Sequence, residues 1–249
     1  MSLTTNRDNI YLIAPNIPYE LAERIGDFME EGFSIFLRAK INLKSLSEGK
    51  EMYLFARNGK HCGICVFVHE GSVYVQWVHW FKDADNDEKH YFIRYELPQH
   101  IRGEFNNYFV SCDTDKKMIS FYVNGILVGN LDYSGKEKIS YTDSYIWLGC
   151  ANMMTDDEFN SVAEIEFSNF VASSKCLSFI EMSSLINSYK KKYTYRKFDY
   201  SLPVLDKNTP DLESFKIFCD FEDQSIFKIW NLVNNGNFFQ KYIKNNVYY

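Results

Sequence analysis

The densest group of chemically useful side chains is Tyr74-Val-Gln-Trp77-Val-His-Trp80, followed by Asp83-Ala-Asp85-Asn86-Asp87-Glu88. Sugars are held by rings stacked on their apolar faces and by amides and carboxylates that grip hydroxyls. Read with period two, Tyr74, Gln76 and Trp80 share one strand face, and Val73, Val75, Trp77 and His79 share the other. One face must pack inside and one can open to solvent, so either Trp77 or Trp80 is a ring platform. Tyr74 and Gln76 stand beside Trp80, which favours Trp80. The candidate ligand contacts are Tyr74, Gln76, Trp77, Trp80, Asp83, Asp85 and Asn86; the alternative is that both tryptophans are packing residues.

The loop after Trp80 also carries the atoms that calcium takes. That ion wants six or more oxygens, typically several loop carboxylates. The spacing Asp83, Asp85, Asp87 matches the start of an EF-hand loop, but no glycine follows and the twelfth position is Arg94, not glutamate. The loop therefore reads as a solvated acidic turn, with Asp83, Asp85 and Asp87 as weak calcium candidates.

Catalytic chemistry has less to work with. Glu164 and Glu166 fall on one face of a strand, where neighbours stand roughly 6.5–7 Å apart and carboxyl groups can converge. Ala163, Ile165 and Phe167 form the inward face of that strand, which leaves the two glutamates facing solvent. Cys62-Gly-Ile-Cys65 has metal-like spacing, but it sits in a strand pattern that sends its two thiols to opposite faces, and no second such pair follows. Six cysteines in 249 residues read as buried free thiols. The five histidines are dispersed, and no nucleophile motif or phosphate loop is present.

These residues must be positioned by strands. Phe33–Ile41 alternates apolar and polar residues, and similar runs follow at Met52–Arg57, Cys62–His69, Ser72–Trp80, His90–Leu97, Asn107–Cys112, Met118–Asn124, Ile126–Leu131, Tyr145–Gly149 and Val162–Val171. Asn58-Gly59, Glu70-Gly71 and Asn124-Gly125 are tight-turn pairs, and strands joined by tight turns are antiparallel neighbours. Ser178 with Glu181 fits a capping box, Leu177 with Met182 fits a hydrophobic staple, and Phe179, Met182, Leu185 and Ile186 form one helical stripe. A shorter helical turn is expected near Pro18–Arg24. The run Lys190–Glu213 reads as a connector broken by Pro203 and Pro210, after which Phe215–Phe221 and Ile226–Leu232 read as strands. A strand pair this small cannot stand alone, so it is expected to pack back on the main sheet beside the N-terminal strand.

Composition agrees. The chain is 46% hydrophobic and 17% aromatic, with Phe 21 and Tyr 18 but only Gly 12 and Pro 5, which excludes disordered, collagen-like and linker classes. A net charge of −6 argues against a general nucleic-acid binder. One basic run, Lys190-Lys191-Lys192 with Arg196 and Lys197 among Tyr189, Tyr193, Tyr195 and Phe198, reads as a solvated connector or as a contact for phosphate or acidic glycan. No signal-peptide pattern is visible, no segment approaches a membrane span, and the compartment is not assigned.

The order of elements from about Phe33 to Leu185 resembles the concanavalin A-like lectin/glucanase superfamily, especially its laminin G-like and pentraxin-like jelly rolls. Gly32-Phe-Ser-Ile-Phe-Leu-Arg-Ala-Lys is similar to that family's early strand. Asn107-Tyr-Phe-Val-Ser-Cys-Asp and Met118-Ile-Ser-Phe-Tyr-Val-Asn-Gly125 are similar to its central hairpin. Tyr145-Ile-Trp-Leu-Gly149 resembles its "L-G" strand, and Ala163–Phe170 with the helix after Ser178 resembles its last strand and trailing helix. Asp220-Phe-Glu-Asp and Trp230–Gly236 resemble the motif that usually opens such a domain, here placed last. The resemblance implies a sugar-binding module, a protein-interaction domain or a glycan hydrolase. The hydrolase motif E-x-D-x-x-E is matched only by Glu164 and Glu166, with Asn169 where the third acid would be. Pentraxin-like calcium acids follow the "L-G" strand, where this chain has Cys150-Ala-Asn152-Met-Met154 and then Asp156 and Asp157. Asn152, Asp156 and Asp157 are thus further weak calcium candidates.

The expected molecule is all-β, an antiparallel jelly-roll β-sandwich with one short helix after the last core strand. Its expected divisions are a sandwich domain over 1–189, a connector over 190–213 and a strand segment over 214–249. The expected function is non-catalytic carbohydrate binding on the concave sheet or its loops, with a glycan as partner. A protein-interaction or scaffold domain is the alternative, and a glycan hydrolase the third reading.

Overall fold

The computed structural model describes residues 3–5, 10–13, 29, 32–57, 62–139, 146–149, 164–184, 215–220 and 239–242. Among them the chain forms fifteen strands. They are β1 (Leu3–Thr5), β2 (Ile10–Ile13), β3 (Phe33–Ile41), β4 (Met52–Arg57), β5 (Cys62–His69), β6 (Ser72–Lys82), β7 (Glu88–Glu96) and β8 (Phe105–Asp113). Then come β9 (Met118–Val123), β10 (Ile126–Asp132), β11 (Glu137–Lys138), β12 (Ile146–Leu148), β13 (Ile165–Ser173), β14 (Phe215–Asp220) and β15 (Phe239–Tyr242).

Two antiparallel sheets result. One runs β1-β13-β3-β8-β9-β10, and the other runs β11-β6-β5-β4-β12-β2-β15 with β7 paired to β6. The fold is the expected antiparallel jelly-roll β-sandwich. Strand β3 pairs with β8 and β13, far apart in sequence, whereas β5, β6 and β7 are joined in series by hairpins. Strand β14 pairs with β13 along the edge that β1 also uses, and β15 pairs with β2. No helix among the described residues is long and apolar enough to cross a membrane.

The turns behave as their residues dictate. Glu70 and Gly71 take φ 49° and 75°, and Asn124 and Gly125 take φ 51° and 82°, the paired left-handed geometry that a twisted two-residue hairpin needs. Asn58-Gly59 and Pro18–Arg24 lie outside the described residues, as do the connector, the basic run and Ile226–Leu232. Strand β6 extends past Trp80 to Lys82, and β7 starts at Glu88, because the two pair without interruption from Tyr74↔Glu96 to Lys82↔Glu88.

Rings fill the space between the sheets. Phe33, Phe55, Trp77, Phe81, Phe121, Phe167 and Phe170 are fully buried there. Phe55 stacks on Trp77 at 6.4 Å, Phe81 stacks on Tyr133 at 5.0 Å, and Phe55 meets Phe170 at 5.5 Å. Each such ring contributes roughly 1.5–3 kcal/mol by leaving water. The CxxC segment has a structural reason for its glycine: β4 bulges between Tyr53 and Phe55, and a Cβ at Gly63 would stand 2.3 Å from the Phe55 carbonyl oxygen.

The helix starts where its cap predicts. The Ser178 backbone N–H donates to Glu181 Oε2 at 2.7 Å, and the Glu181 N–H donates to Ser178 Oγ at 3.2 Å. Helical residues are described over 179–184. Met182, Leu177 and Phe179 pack on Phe36, Phe109 and Val171, the outer face of the sheet that contains β3 and β13. The helix thereby covers that sheet's outer face around Phe36, Phe109 and Val171, while the candidate residues of β6 lie on the other sheet.

Candidate functional site

Alternation along β6 splits its side chains as the sequence predicts. Val73, Val75, Trp77 and Phe81 join the core between the sheets, while Tyr74 and Trp80 face outward and stay half-buried. Trp77 has no exposed surface, which corrects the expectation that it is an alternative platform: its ring belongs to the sandwich core. Trp80 packs over Tyr53, Ala56, Cys65 and Val78, which cover the middle of the outer face.

Antiparallel pairing then brings β7 beside these residues. Trp80 stands opposite His90, Val78 opposite Phe92, Gln76 opposite Arg94, and Tyr74 opposite Glu96. Trp80 and His90 are 5.5 Å apart between ring centres, and His90 and Phe92 are 6.2 Å apart. Phe92 is 46% exposed, and His90 and Arg94 are exposed as well. The outcome is a row of rings, Trp80, His90 and Phe92, ending at a guanidinium.

That guanidinium is fixed from several sides. Its carbon lies 4.8 Å from the Phe67 ring centre and 4.7 Å from that of Phe92, and Phe67 in turn stacks on Tyr74 at 5.3 Å. Arg94 Nε donates to Gln76 Oε1 at 3.1 Å, and Gln76 Nε2 donates to Glu51 Oε1 at 2.7 Å. Gln76 is 2% exposed, so it serves as a clamp for Arg94 and is not itself a surface contact, a correction to its expected role. Tyr53 donates to the other Glu51 oxygen at 3.5 Å; burial, followed by the Cys65 and Glu51 charges, raises its phenol well above the ordinary value and keeps it a donor.

His90, Phe92 and Arg94 were not singled out from the sequence. The signal was available: a tight turn after Lys82 pairs Trp80 with the residue that occupies position 90. The period-two pattern of β7 then puts His90, Phe92 and Arg94 on the face of Trp80.

The acidic loop is a hairpin turn held by its own first residue. Asp83 Oδ1 accepts the N–H groups of Asp85 and Asp87 at 3.0 and 3.1 Å, and Lys89 Nζ sits on Asp83 Oδ2. The Lys89 hydrogen bond holds the Asp83 carboxyl below its usual pKa, helped by the backbone donors. Asn86 takes φ 63°, and Asp85, Asn86 and Asp87 are exposed at the tip. A lysine ammonium thus pairs with Asp83, while Asp85 and Asp87 meet Asp83 through their backbone N–H groups. Among the described residues no group of three or more His, Cys, Asp or Glu side chains is placed to hold a metal ion. Asn152, Asp156 and Asp157 lie outside the described residues.

The remaining chemical candidates have structural employment. Glu164 is exposed ahead of β13, where its carboxylate accepts from Asn42 Nδ2 at 2.6 Å, and Glu166 stands opposite Lys40. Cys62 points into the core and Cys65 to the outer cluster, as strand alternation requires. Cys62, Cys65 and Cys112 are buried free thiols, whereas Cys176 is exposed. Burial pushes the Cys65 and Cys112 thiols up, so both stay neutral. Cys62 Sγ lies 3.5 Å from His79 Nδ1, and burial, with the Lys138 and Arg57 charges, pushes His79 down to about 3.

No family model matches this chain, and no curated protein matches it. Solved structures do. The binding domain of botulinum neurotoxin DC in complex with SialylT is 13% identical, with 77% of this chain and 47% of that chain covered and a TM-score of 0.48. The binding domain of Paraclostridial Mosquitocidal Protein 1 is 17% identical over 64% of this chain and 37% of that one, with a TM-score of 0.44. A native heptameric SAP-like pentraxin from Limulus polyphemus is 10% identical over 73% of this chain and 83% of that one, with a TM-score of 0.43. The chain spans 37–47% of the length of the toxin binding domains it matches, 37% in the mosquitocidal protein and 47% in neurotoxin DC.

Proposed function

We propose that this chain is a non-catalytic carbohydrate-recognition module that binds a glycan across the outer face of β6 and β7. The observation that carries the reading is the row Trp80, His90, Phe92 ending at Arg94, with Trp80 half-buried and the other three exposed along one hairpin. Part-exposed rings supply flat apolar surface for sugar faces, and a clamped guanidinium supplies oriented donors for sugar oxygens. Tyr74 flanks the row, and Asp85 and Asn86 are exposed at the hairpin tip beyond Trp80. The positions of Glu164 and Glu166 support a module that does not hydrolyse its ligand. A glycan-array screen with and without calcium tests the reading. The expected result is a restricted set of bound glycans, unchanged by chelation and lost in Trp80→Ala; retention of every bound glycan by that variant would sink this location.

A second reading, a protein-interaction module, is favoured by a different surface. Ile126 and Leu127 at the start of β10 are 64% and 46% exposed, and Ile180 is 76% exposed. Ile180 follows Phe179, whose ring lies over Gly125 in the turn before β10. Isolated apolar residues on a surface are ordinary, whereas a grouped set marks an interface. A glycan screen that is empty for the wild-type chain, together with a partner lost on Ile126→Asp, favours this reading over the first.

A further inference from the structure

We infer that the glycan recognised on this face carries an anionic group, a carboxylate or a sulfate ester, gripped by Arg94. The inference rests on the glycan-binding reading and adds the class of sugar.

Three observations combine. The first is orientation. Glu51 is an acceptor only, so the Gln76 nitrogen must turn toward it and the Gln76 oxygen toward Arg94. That oxygen takes the Nε–H, at 3.1 Å. The amide flip of one buried side chain therefore decides which edge of the guanidinium is used internally. The second is availability. Among the described residues, the Nη groups of Arg94 have no hydrogen-bond partner, and the side chain is exposed. Their donors form the planar fork that matches two oxygens of a carboxylate or sulfate, which a point-charge ammonium does not reproduce. The third is pre-organisation. Phe67 and Phe92 flank the guanidinium at 4.8 and 4.7 Å, so little rotamer freedom is left to lose on binding.

Distance along the strand makes the parts work together. Phe92 and His90 precede Arg94 at same-face spacing, roughly 6.5–7 Å per step. One sugar unit over the ring row thus places a charged substituent at the fork. The whole chain carries −6, so an acidic glycan is not drawn in by general attraction. Selection for the anion has to come from this local fork, and replacing the fork should abolish it.

The test uses matched probes on the full chain: lactose against sialyllactose and against sulfated lactose, and oligogalacturonate against its methyl ester. Binding is measured by calorimetry for wild type, Arg94→Lys and Arg94→Gln, with thermal unfolding as the check on folding. The expected result is preference for an acidic probe, with about a tenfold or larger loss of that affinity in both variants and a smaller loss of any lactose binding. Lysine keeps the charge, so its loss reads the fork and not the charge. The sialylated and sulfated arms tell carboxylate from sulfate. The methyl ester removes charge from the ligand alone, and it should bind weakly even if a variant fails to fold. Equal binding of neutral and acidic probes, or an acidic preference that survives Arg94→Lys, overturns this inference and leaves the glycan reading standing. A screen in which no glycan of either class binds overturns both.

Discussion

The two faces of β6 make opposite use of the same residue type. On one face Trp77 is sealed between the sheets, stacked on Phe55 at 6.4 Å and 6.0 Å from Phe33. On the other, three residues along, Trp80 leans on a thin outer cluster and keeps part of its ring in solvent beside His90. The inner ring is held by area removed from water, and the outer ring is held in place for contact. The polar residues divide in the same way. His79 is buried neutral among the rings of Trp77 and Phe81, whereas Gln76 is buried only to hold an exposed arginine.

The largest expected effect is on the inner face. Trp77→Ala should cost about 3–5 kcal/mol in urea unfolding, because the ring leaves a cavity that two sheets cannot close. Next comes His79. Its folded pKa of about 3 lies below the unfolded 6.5, so the unfolded chain binds a proton first as pH falls. Stability is then complete above the unfolded value and lost between the two, with about 2 kcal/mol gone by about pH 5. Stability measured across that range should fall with acid in the wild type and lose this component in His79→Phe. An unchanged slope would show that His79 is not buried neutral, and the contrast between the faces would weaken.

The outer face should respond in affinity before stability. Trp80→Ala is expected to change unfolding by under about 1 kcal/mol, since the ring is half-exposed, while glycan binding falls by about tenfold or more. The pair of alanine variants is the sharpest check on the comparison. If Trp80→Ala destabilises as much as Trp77→Ala, the outer ring is packing and not a platform.

How far this was legible in the sequence depended on the range of the physics. Period two placed Trp77 and Trp80 on opposite faces, and the capping pair Ser178–Glu181 placed the helix start, because both are local. The two-residue turns likewise fixed antiparallel neighbours. Local pattern only favoured Trp80 as the outer ring, through Tyr74 and Gln76 beside it, since both faces carry a tryptophan; the bulge in β4 and the cover of the outer face are tertiary facts. Arg94 was missed for a related reason. In the sequence it is one charge in a run of charges and rings, and only cross-strand pairing brings it to Gln76, Phe67 and Tyr74. The acidic loop was legible as a solvated turn. Carboxylates at alternate positions suggest a cation, but Asp83 satisfies backbone donors and Lys89 within the turn.

The smallest expected effect probes the clamp itself. Glu51 touches no part of the proposed ligand surface in this reading; it acts through Gln76. Glu51→Gln keeps the shape and removes the charge, and the new amide offers Gln76 either a donor or an acceptor. The Gln76 amide then loses its single preferred orientation, and Arg94 Nε loses its guaranteed acceptor. Stability should change by about 1 kcal/mol or less, as for one hydrogen bond with a charged partner partly replaced. Affinity for an acidic probe should fall by a few-fold, less than in Arg94→Lys, because the guanidinium still lies between Phe67 and Phe92. The revealing measurement is the double variant Glu51→Gln with Arg94→Lys. If the clamp acts only through the fork, Glu51→Gln adds nothing to the loss already caused by Arg94→Lys in acidic-probe affinity. Additive losses would mean that Glu51 and Arg94 serve the outer face independently, and that the hydrogen-bond chain linking them is incidental.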